Sequence, residues 1–373
     1  VEKKAAAFSS GEKRYIWSHG FSYGDWCAPN ENQKQWMAKK KWISTAYYAN
    51  DCALASKIAT ILGLEEEAKA FQEKRKCIEN AYRNVFTDKK GTLKNEFQTA
   101  YVCPLYFGMV SGEERKKYVD YLLKELELYP DYRYNTVYFG GGTPSLLDLE
   151  DVERILKRLD IAENAEVTME VNPKTVDFDK LCKLRKIGIN RLSIGIQSFD
   201  EKYLKILGRM HTSEEGIETF ENARRAGFDN ISLDLMFSLP GQNVEEVLKD
   251  LNKLLDMKPE HFSIYSLIWE EGTVFFEKLK KGILRETENE IEAEMFEKII
   301  DTAEKRGYLH YEISNFCLEG KEAVHNTKYW ENKEYLGIGL GASGYLENIR
   351  YKNQMKFLEY YGLDLKDTMA FGD

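Results

Sequence analysis

The chain has 373 residues, 43% hydrophobic and 31% charged, the composition of soluble globular domains with length for two or three cores. Its formal net charge of -9 gives no global attraction to nucleic acid or to an anionic membrane. No apolar run approaches the roughly 20 residues of a membrane helix, so no integral membrane segment is expected.

Val1-Glu2-Lys3-Lys4 is followed by no apolar secretory core, and an initiator Met is missing. A cytoplasmic chain that starts inside a longer product is the expectation. Residues 1–117 contain no convincing strand. Trp42 to Leu62 is rich in Ala, Ile and Leu, with Gly63 placed as a helix stop. Glu65 to Phe86 is charged and amphipathic, and Phe97 to Val110 reads as a third helix. Ser111-Gly112-Glu113-Glu114 has capping-box spacing and starts a fourth, running to Tyr129. The architecture predicted here is an antiparallel helix-hairpin array.

From 118 to 270 the grammar changes. Five strand-like runs alternate with stretches long enough for helical crossovers, and the first four lead into polar signatures. Thr136 to Phe139 leads into Gly140-Gly141-Gly142-Thr143-Pro144, and Glu166 to Met169 into Glu170-Val171-Asn172-Pro173. Arg191 to Gly195 leads into Ile196-Gln197-Ser198-Phe199, and Ile231 to Leu233 into Asp234. The fifth run is Phe262 to Ser266. Polar groups at the C-terminal ends of parallel strands are how a (β/α) barrel builds a site. The last segment, 271–373, holds a helix from Thr287 to Arg306 with Thr287 and Glu290 at capping-box spacing. A strand through Tyr311 to Phe316 and a Gly-rich, strand-like stretch from Tyr335 to Tyr351 follow.

These motifs, in this order, resemble the HemW family of heme chaperones, within the radical S-adenosylmethionine (SAM) superfamily and related to oxygen-independent coproporphyrinogen III oxidase. The resemblance runs from about Tyr118 to Asn353. It implies an α/β fold: a partial (β/α) radical-SAM barrel over 118–270 missing its first strand, preceded by an all-α segment and followed by a truncated C-terminal α+β domain. It also implies a SAM site. Gly141, Gly142 and Thr143 would meet the amino group and its surroundings. Glu170, Gln197 and Asp234 would hold other polar groups, and Arg209 would pair with the carboxylate through its fork.

Radical chemistry in this superfamily uses a [4Fe-4S] cluster on a CxxxCxxC loop after the first strand. The six cysteines, Cys27, Cys52, Cys77, Cys103, Cys182 and Cys317, offer no such spacing and are too sparse for a disulfide framework. The cluster ligands are therefore expected to be absent and SAM binding to be weak or lost. His325-Asn326-Thr327-Lys328-Tyr329-Trp330 matches the family's HNxxYW pattern. By resemblance His325 is an axial ligand to heme iron, and Tyr329 and Trp330 stack on the macrocycle. The bland alternative is a loop histidine satisfied by backbone, with the two aromatics in the core. Heme and heme-acceptor proteins are the partners implied, with no nucleic acid.

Gly20-Phe21-Ser22-Tyr23-Gly24-Asp25-Trp26, Thr45-Ala46-Tyr47-Tyr48-Ala49 and Gln98-Thr99-Ala100-Tyr101 are similar to the (α/α)-barrel domain of bacterial α-L-rhamnosidases, over about 10–117. That family's catalytic carboxylate motifs lie outside this segment. Asp25 and Trp26 read as a sugar-lining pair or as a structural loop. Too few hairpins are present to close a ring, so exposed apolar faces are expected. Three further readings stand beside the heme chaperone: a coproporphyrinogen oxidase-like radical enzyme, a rhamnosidase-like hydrolase fragment, and a chimera of two families.

Overall fold

The computed structural model describes residues 15–16, 33–86, 112–271 and 273–354. They fall into two units. One holds the described residues up to Leu128, those of 270–277 and those from Tyr335 onward; the other holds Tyr129–Trp269 and Lys278–Glu334. Phe97 to Val110, Asp25 and Trp26 lie outside the described residues.

In the first unit, helices α1 (Gln33–Ile61) and α2 (Glu65–Phe86) form an antiparallel hairpin. Gly63 stops α1 as expected, in the left-handed region at φ 72°, and Leu64 donates its amide back to Ala59. The hairpin core is Trp42, Ala46, Ala49 and Cys52 against Ile78, Tyr82 and Phe86. The Trp42 and Phe86 rings sit 4.0 Å apart. The other face of α1 is open: Leu54, Ile58 and Ile61 are 50%, 57% and 83% exposed. Helix α3 (Gly112–Leu126) contributes buried Glu125. Its carboxylate accepts the Gly339 amide at 2.9 Å and the Asn353 side-chain amide at 2.5 Å. The Gly-rich stretch becomes a hairpin of two short strands, Ser343–Leu346 and Ile349–Lys352.

The second unit is a seven-stranded α/β sheet, curled as a half-barrel. Strands β1 (Arg133–Phe139), β2 (Asp160–Val171), β3 (Arg191–Gln197), β4 (Ile231–Phe237) and β5 (His261–Ser266) pair in parallel, in chain order. β6 (Leu309–His310) and β7 (Asn315–Cys317) close the far edge antiparallel, with β7 beside β5. Helices α4 (Leu149–Arg158), α5 (Phe178–Lys186), α6 (Glu201–Ile206), α7 (Ser213–Arg225) and α8 (Val244–Met257) connect the parallel strands. α9 (Asn289–Lys305) packs on α8, and α10 (Val324–Trp330) lies against β1.

Period-two alternation divides each strand. Met169, Leu192, Ile194, Leu233 and Phe262 face the helices and are fully buried in one apolar core. The opposite face carries Thr136 and Tyr138, Glu166 and Glu170, Arg191 and Ser193, Ser232 and Asp234, and His261, Ser263 and Tyr265. The lumen is therefore polar from wall to wall.

Two local expectations differ from the structure. The strand expected through Tyr311 to Phe316 is two short strands separated by residues 311–314, because Glu312 and Ser314 close a local side-chain turn there. The long charged helix starts at Asn289 behind Glu288, without a side-chain cap bond; Thr287 Oγ1 is buried and has no hydrogen-bond partner.

Candidate functional site

Gly141, Gly142, Thr143, Glu170 and Gln197 gather at one mouth, the C-terminal ends of β1 to β3, and Arg209 joins them from the turn after α6, whereas Asp234 sits in the middle of β4 rather than at its end. The glycine turn is tied to β2: Glu170 accepts from the Tyr138 hydroxyl at 3.0 Å and from the Gly141 amide at 3.3 Å. Asn172 Nδ2 donates to Thr143 at 3.3 Å. Gly141 and Gly142 both adopt left-handed backbone, at φ 79° and 80°, which explains glycine at each. The crowded position is Gly140, where a Cβ would meet the Tyr138 ring at 2.6 Å.

Gln197 ends β3 with φ 69°, a left-handed conformation that a non-glycine residue holds only under constraint. It faces Arg209 across Gly195. A Cβ at Gly195 would lie 2.8 Å from Gln197 Nε2, 3.1 Å from an Arg209 guanidinium nitrogen and 3.3 Å from Asn172 Oδ1. Burial lowers the pKa of Arg209, with Tyr265 and Asp234 opposing.

Below this mouth lies a cavity of about 250 Å³, lined among others by Tyr138, Glu170, Arg191, Asp234, Tyr265 and Asn315. Ser193 donates to both oxygens of Asp234 at 3.1 Å. Burial pushes the Asp234 carboxyl up to about 6, against the pull of Ser193, Arg191 and Ser263, with Glu170 adding to the rise. Arg191 is 2% exposed; its Nε has no hydrogen-bond partner, and Glu166 lies 3.8 Å away. Asn315 Oδ1 is likewise buried without a partner.

Glu166 reaches from this wall to α10, taking the amides of Val324 at 3.1 Å and His325 at 2.9 Å. His325 is pinned at both ring nitrogens: Nδ1 meets Thr136 Oγ1 and Nε2 meets the Tyr329 hydroxyl, each at 2.9 Å. Its ring stacks on Tyr138 at 5.1 Å. Burial, helped by Lys328 and Arg191, lowers its pKa to about 4, so the imidazole is neutral at ordinary pH. Tyr329 and Trp330 are 42% and 57% exposed, not core residues. The sequence reading missed Tyr138, Glu166, Arg191 and Tyr265 as site residues; the first three occupy lumen-facing positions of strands whose ends it had marked, and Tyr265 lies on the fifth run, which carried no such signature.

The described cysteines do not fit a cluster. Cys52 and Cys317 are buried in different units, and burial raises the Cys317 thiol to about 11. Among the described residues, no three His, Cys, Asp or Glu side chains converge as metal ligands. The lumen, in contrast, offers Glu170, Asp234 and the Arg191 guanidinium around one cavity, a charged and polar lining of the kind a ligand such as SAM calls for.

The radical SAM superfamily pattern matches residues 102–254, and that of the bacterial α-L-rhamnosidase 6-hairpin glycosidase domain matches 6–149. The heme chaperone HemW of Lactococcus lactis subsp. lactis (strain IL1403) is 41% identical over 257 residues, 68% of each chain. The chain belongs to the HemW family. HemW of Bacillus subtilis (strain 168) is 41% identical over 65% of each chain, so the chain spans about two thirds of the length of these relatives. The mouse mitochondrial radical S-adenosyl methionine domain-containing protein 1 is 37% identical over 64% of this chain and 54% of its own. In fold, this HemW-family chain is similar to coproporphyrinogen III oxidase (HemN) of Escherichia coli, described as a radical SAM enzyme. The TM-score is 0.60 and the identity 21%, over 70% of this chain and 64% of that one.

Proposed function

We propose that this chain is a heme chaperone that binds heme on α10 through His325 and passes it to acceptor proteins. One observation carries the reading: a neutral imidazole whose inner nitrogen is fixed by Thr136, and whose outer nitrogen meets the hydroxyl of exposed Tyr329. A hydrogen bond that orients the other ring nitrogen is the usual support of a ligating histidine. Displacing the Tyr329 hydroxyl frees Nε2, and the Tyr329 and Trp330 rings offer an apolar, planar-friendly surface. Exposure suits a chaperone, because cargo must leave again.

In this reading the lumen keeps a SAM site, weakened by the missing cluster. Glu170 and Asp234 take its amine and hydroxyls, Arg209 its carboxylate, and Gln197 a further polar group. SAM would supply a sulfonium and an adenosyl group there. The residues described offer no cluster, so no radical step is derived. The coproporphyrinogen oxidase-like reading is supported only by a fold likeness at 21% identity.

The test is an absorbance titration with ferric heme. Wild type should saturate near one heme per chain, and His325→Ala should weaken binding by at least about tenfold, the loss of one coordinate bond. Equal binding by both would refute the role of His325.

A further inference from the structure

A line of hydrogen bonds leaves Asp234 through Ser232, which shares its cavity wall. Ser232 Oγ lies 3.5 Å from Asp234 Oδ1 and 2.8 Å from His261 Nδ1. His261 Nε2 lies 2.8 Å from the Tyr311 hydroxyl. That hydroxyl also accepts the Ala323 amide at 3.2 Å, the amide just before α10. Ser232 and His261 are paired in register on β4 and β5 and are fully buried.

The proton positions follow from donor counting. Tyr311 oxygen already accepts from Ala323. If His261 donated its Nε2 proton to it as well, the tyrosine proton would have no acceptor in a largely buried place. The arrangement that leaves no donor idle runs one way. Tyr311 O–H donates to His261 Nε2, His261 Nδ1–H donates to Ser232, and Ser232 O–H is left for Asp234. Burial, reinforced by Arg191, holds the His261 pKa well below its ordinary value, so the ring carries a single proton and must choose.

We infer that Tyr311, His261 and Ser232 form a directed positioning relay that presents a hydroxyl to Asp234 and ties the barrel lumen to the N-terminus of α10. The inference deepens the SAM-site and α10 readings above. Asp234 also faces Ser193 and Arg191 of β3, Glu170 of β2 and Ser263 of β5, with Tyr138, Tyr265 and Arg209 nearby. The relay is therefore one of three hydroxyl contacts and, among the described residues, the one whose hydrogen bonds lead on to Ala323 before α10.

Three measurements on the full, ligand-free chain test it. Nitrogen NMR of the histidine rings should find His261 as the neutral Nδ1–H tautomer. Infrared titration of the Asp234 carboxyl band, assigned with Asp234→Asn, should show a higher midpoint in both Ser232→Ala and Tyr311→Phe. Amide exchange at Ala323 should change severalfold in Asp234→Asn, although among the described residues no hydrogen bond joins Asp234 to α10. A purely structural Tyr311 would leave the Asp234 midpoint in place. An Nε2–H tautomer in wild type, or an Asp234 midpoint unmoved in both variants, would overturn the inference. Because no ligand is present, failure of SAM to bind in a separate calorimetric titration would count against the SAM reading alone.

Discussion

At the scale of single residues, Asp234 and His325 pull stability in opposite directions with pH. The folded Asp234 pKa is about 6 against an ordinary 3.8, so the native state holds its proton more tightly than the unfolded chain. Stability from this group falls as pH rises from about 4 to 6, by on the order of 2–3 kcal/mol. His325 is depressed to about 4 from 6.5, so its contribution is full above 6.5 and is lost as pH falls toward 4. Denaturant unfolding should therefore find Asp234→Asn more stable than wild type at pH 7.5 and less advantaged at pH 4.5. A variant that is destabilised at both pH values would mean that the carboxylate is needed for packing. The low His325 pKa has a second consequence. Proton competition should not weaken heme binding between pH 7.5 and 5.5, measured by absorbance titration.

At the scale of elements, α10 is a helix of seven residues with no side-chain cap, too short to stand alone. Its seat is Glu166, which binds two of its first amides, and Tyr311, which binds the amide before them. Glu166→Gln removes the charge that faces buried Arg191 and should cost about 3 kcal/mol, the usual penalty for stranding one member of a buried ion pair. Calorimetric melting checks it; a loss below about 1 kcal/mol would mean that Arg191 finds Glu170 or Asp234 instead. Glu125 plays the same part in the other unit. Its replacement by Ala should cost about 2–4 kcal/mol by leaving the Gly339 N–H without its acceptor and the Asn353 amide with only its bonds to the Gly337 and Gly339 carbonyls, read from the same melts.

The parallel strands were legible because their apolar runs are dense and end in turn residues. The polar lumen was legible in principle, since Arg191-x-Ser193-x-Gly195-x-Gln197 alternates with period two. A Gly-rich turn and a strand-end acid announce themselves, whereas Tyr138 or His261 inside a strand reads as ordinary sheet composition. The capping box at Thr287 misled because spacing alone does not fix where a helix starts. Asn315 and Phe316 read as part of a longer strand because nothing in sequence reveals that 311–314 would turn.

At the scale of the molecule, two families' patterns share one chain, matching 6–149 and 102–254. On the α1–α2 hairpin, Leu54, Ile58 and Ile61 lie exposed along one helix face, the kind of face that packing hairpins bury. Replacing Ile58 and Ile61 with Glu should leave the melting temperature nearly unchanged and lower the binding of a hydrophobic dye. A sharp drop in melting temperature would mean that this face is covered. The described half-barrel, in contrast, buries one apolar core on its helix side and lines its lumen with polar side chains. In this account it holds α10 in place through Glu166 and Tyr311.

The central claim is that His325 is a prepared ligand waiting behind Tyr329. Its most direct test is the spectrum and affinity of ferric heme on Tyr329→Phe beside wild type and His325→Ala. Tyr329→Phe removes the hydrogen bond that heme must displace, worth about 1 kcal/mol, and should bind heme roughly fivefold more tightly with the imidazole signature intact. His325→Ala should lose that signature. Weaker binding by Tyr329→Phe, with His325→Ala unaffected, would contradict the account and make the tyrosine, not the histidine, the residue that holds iron.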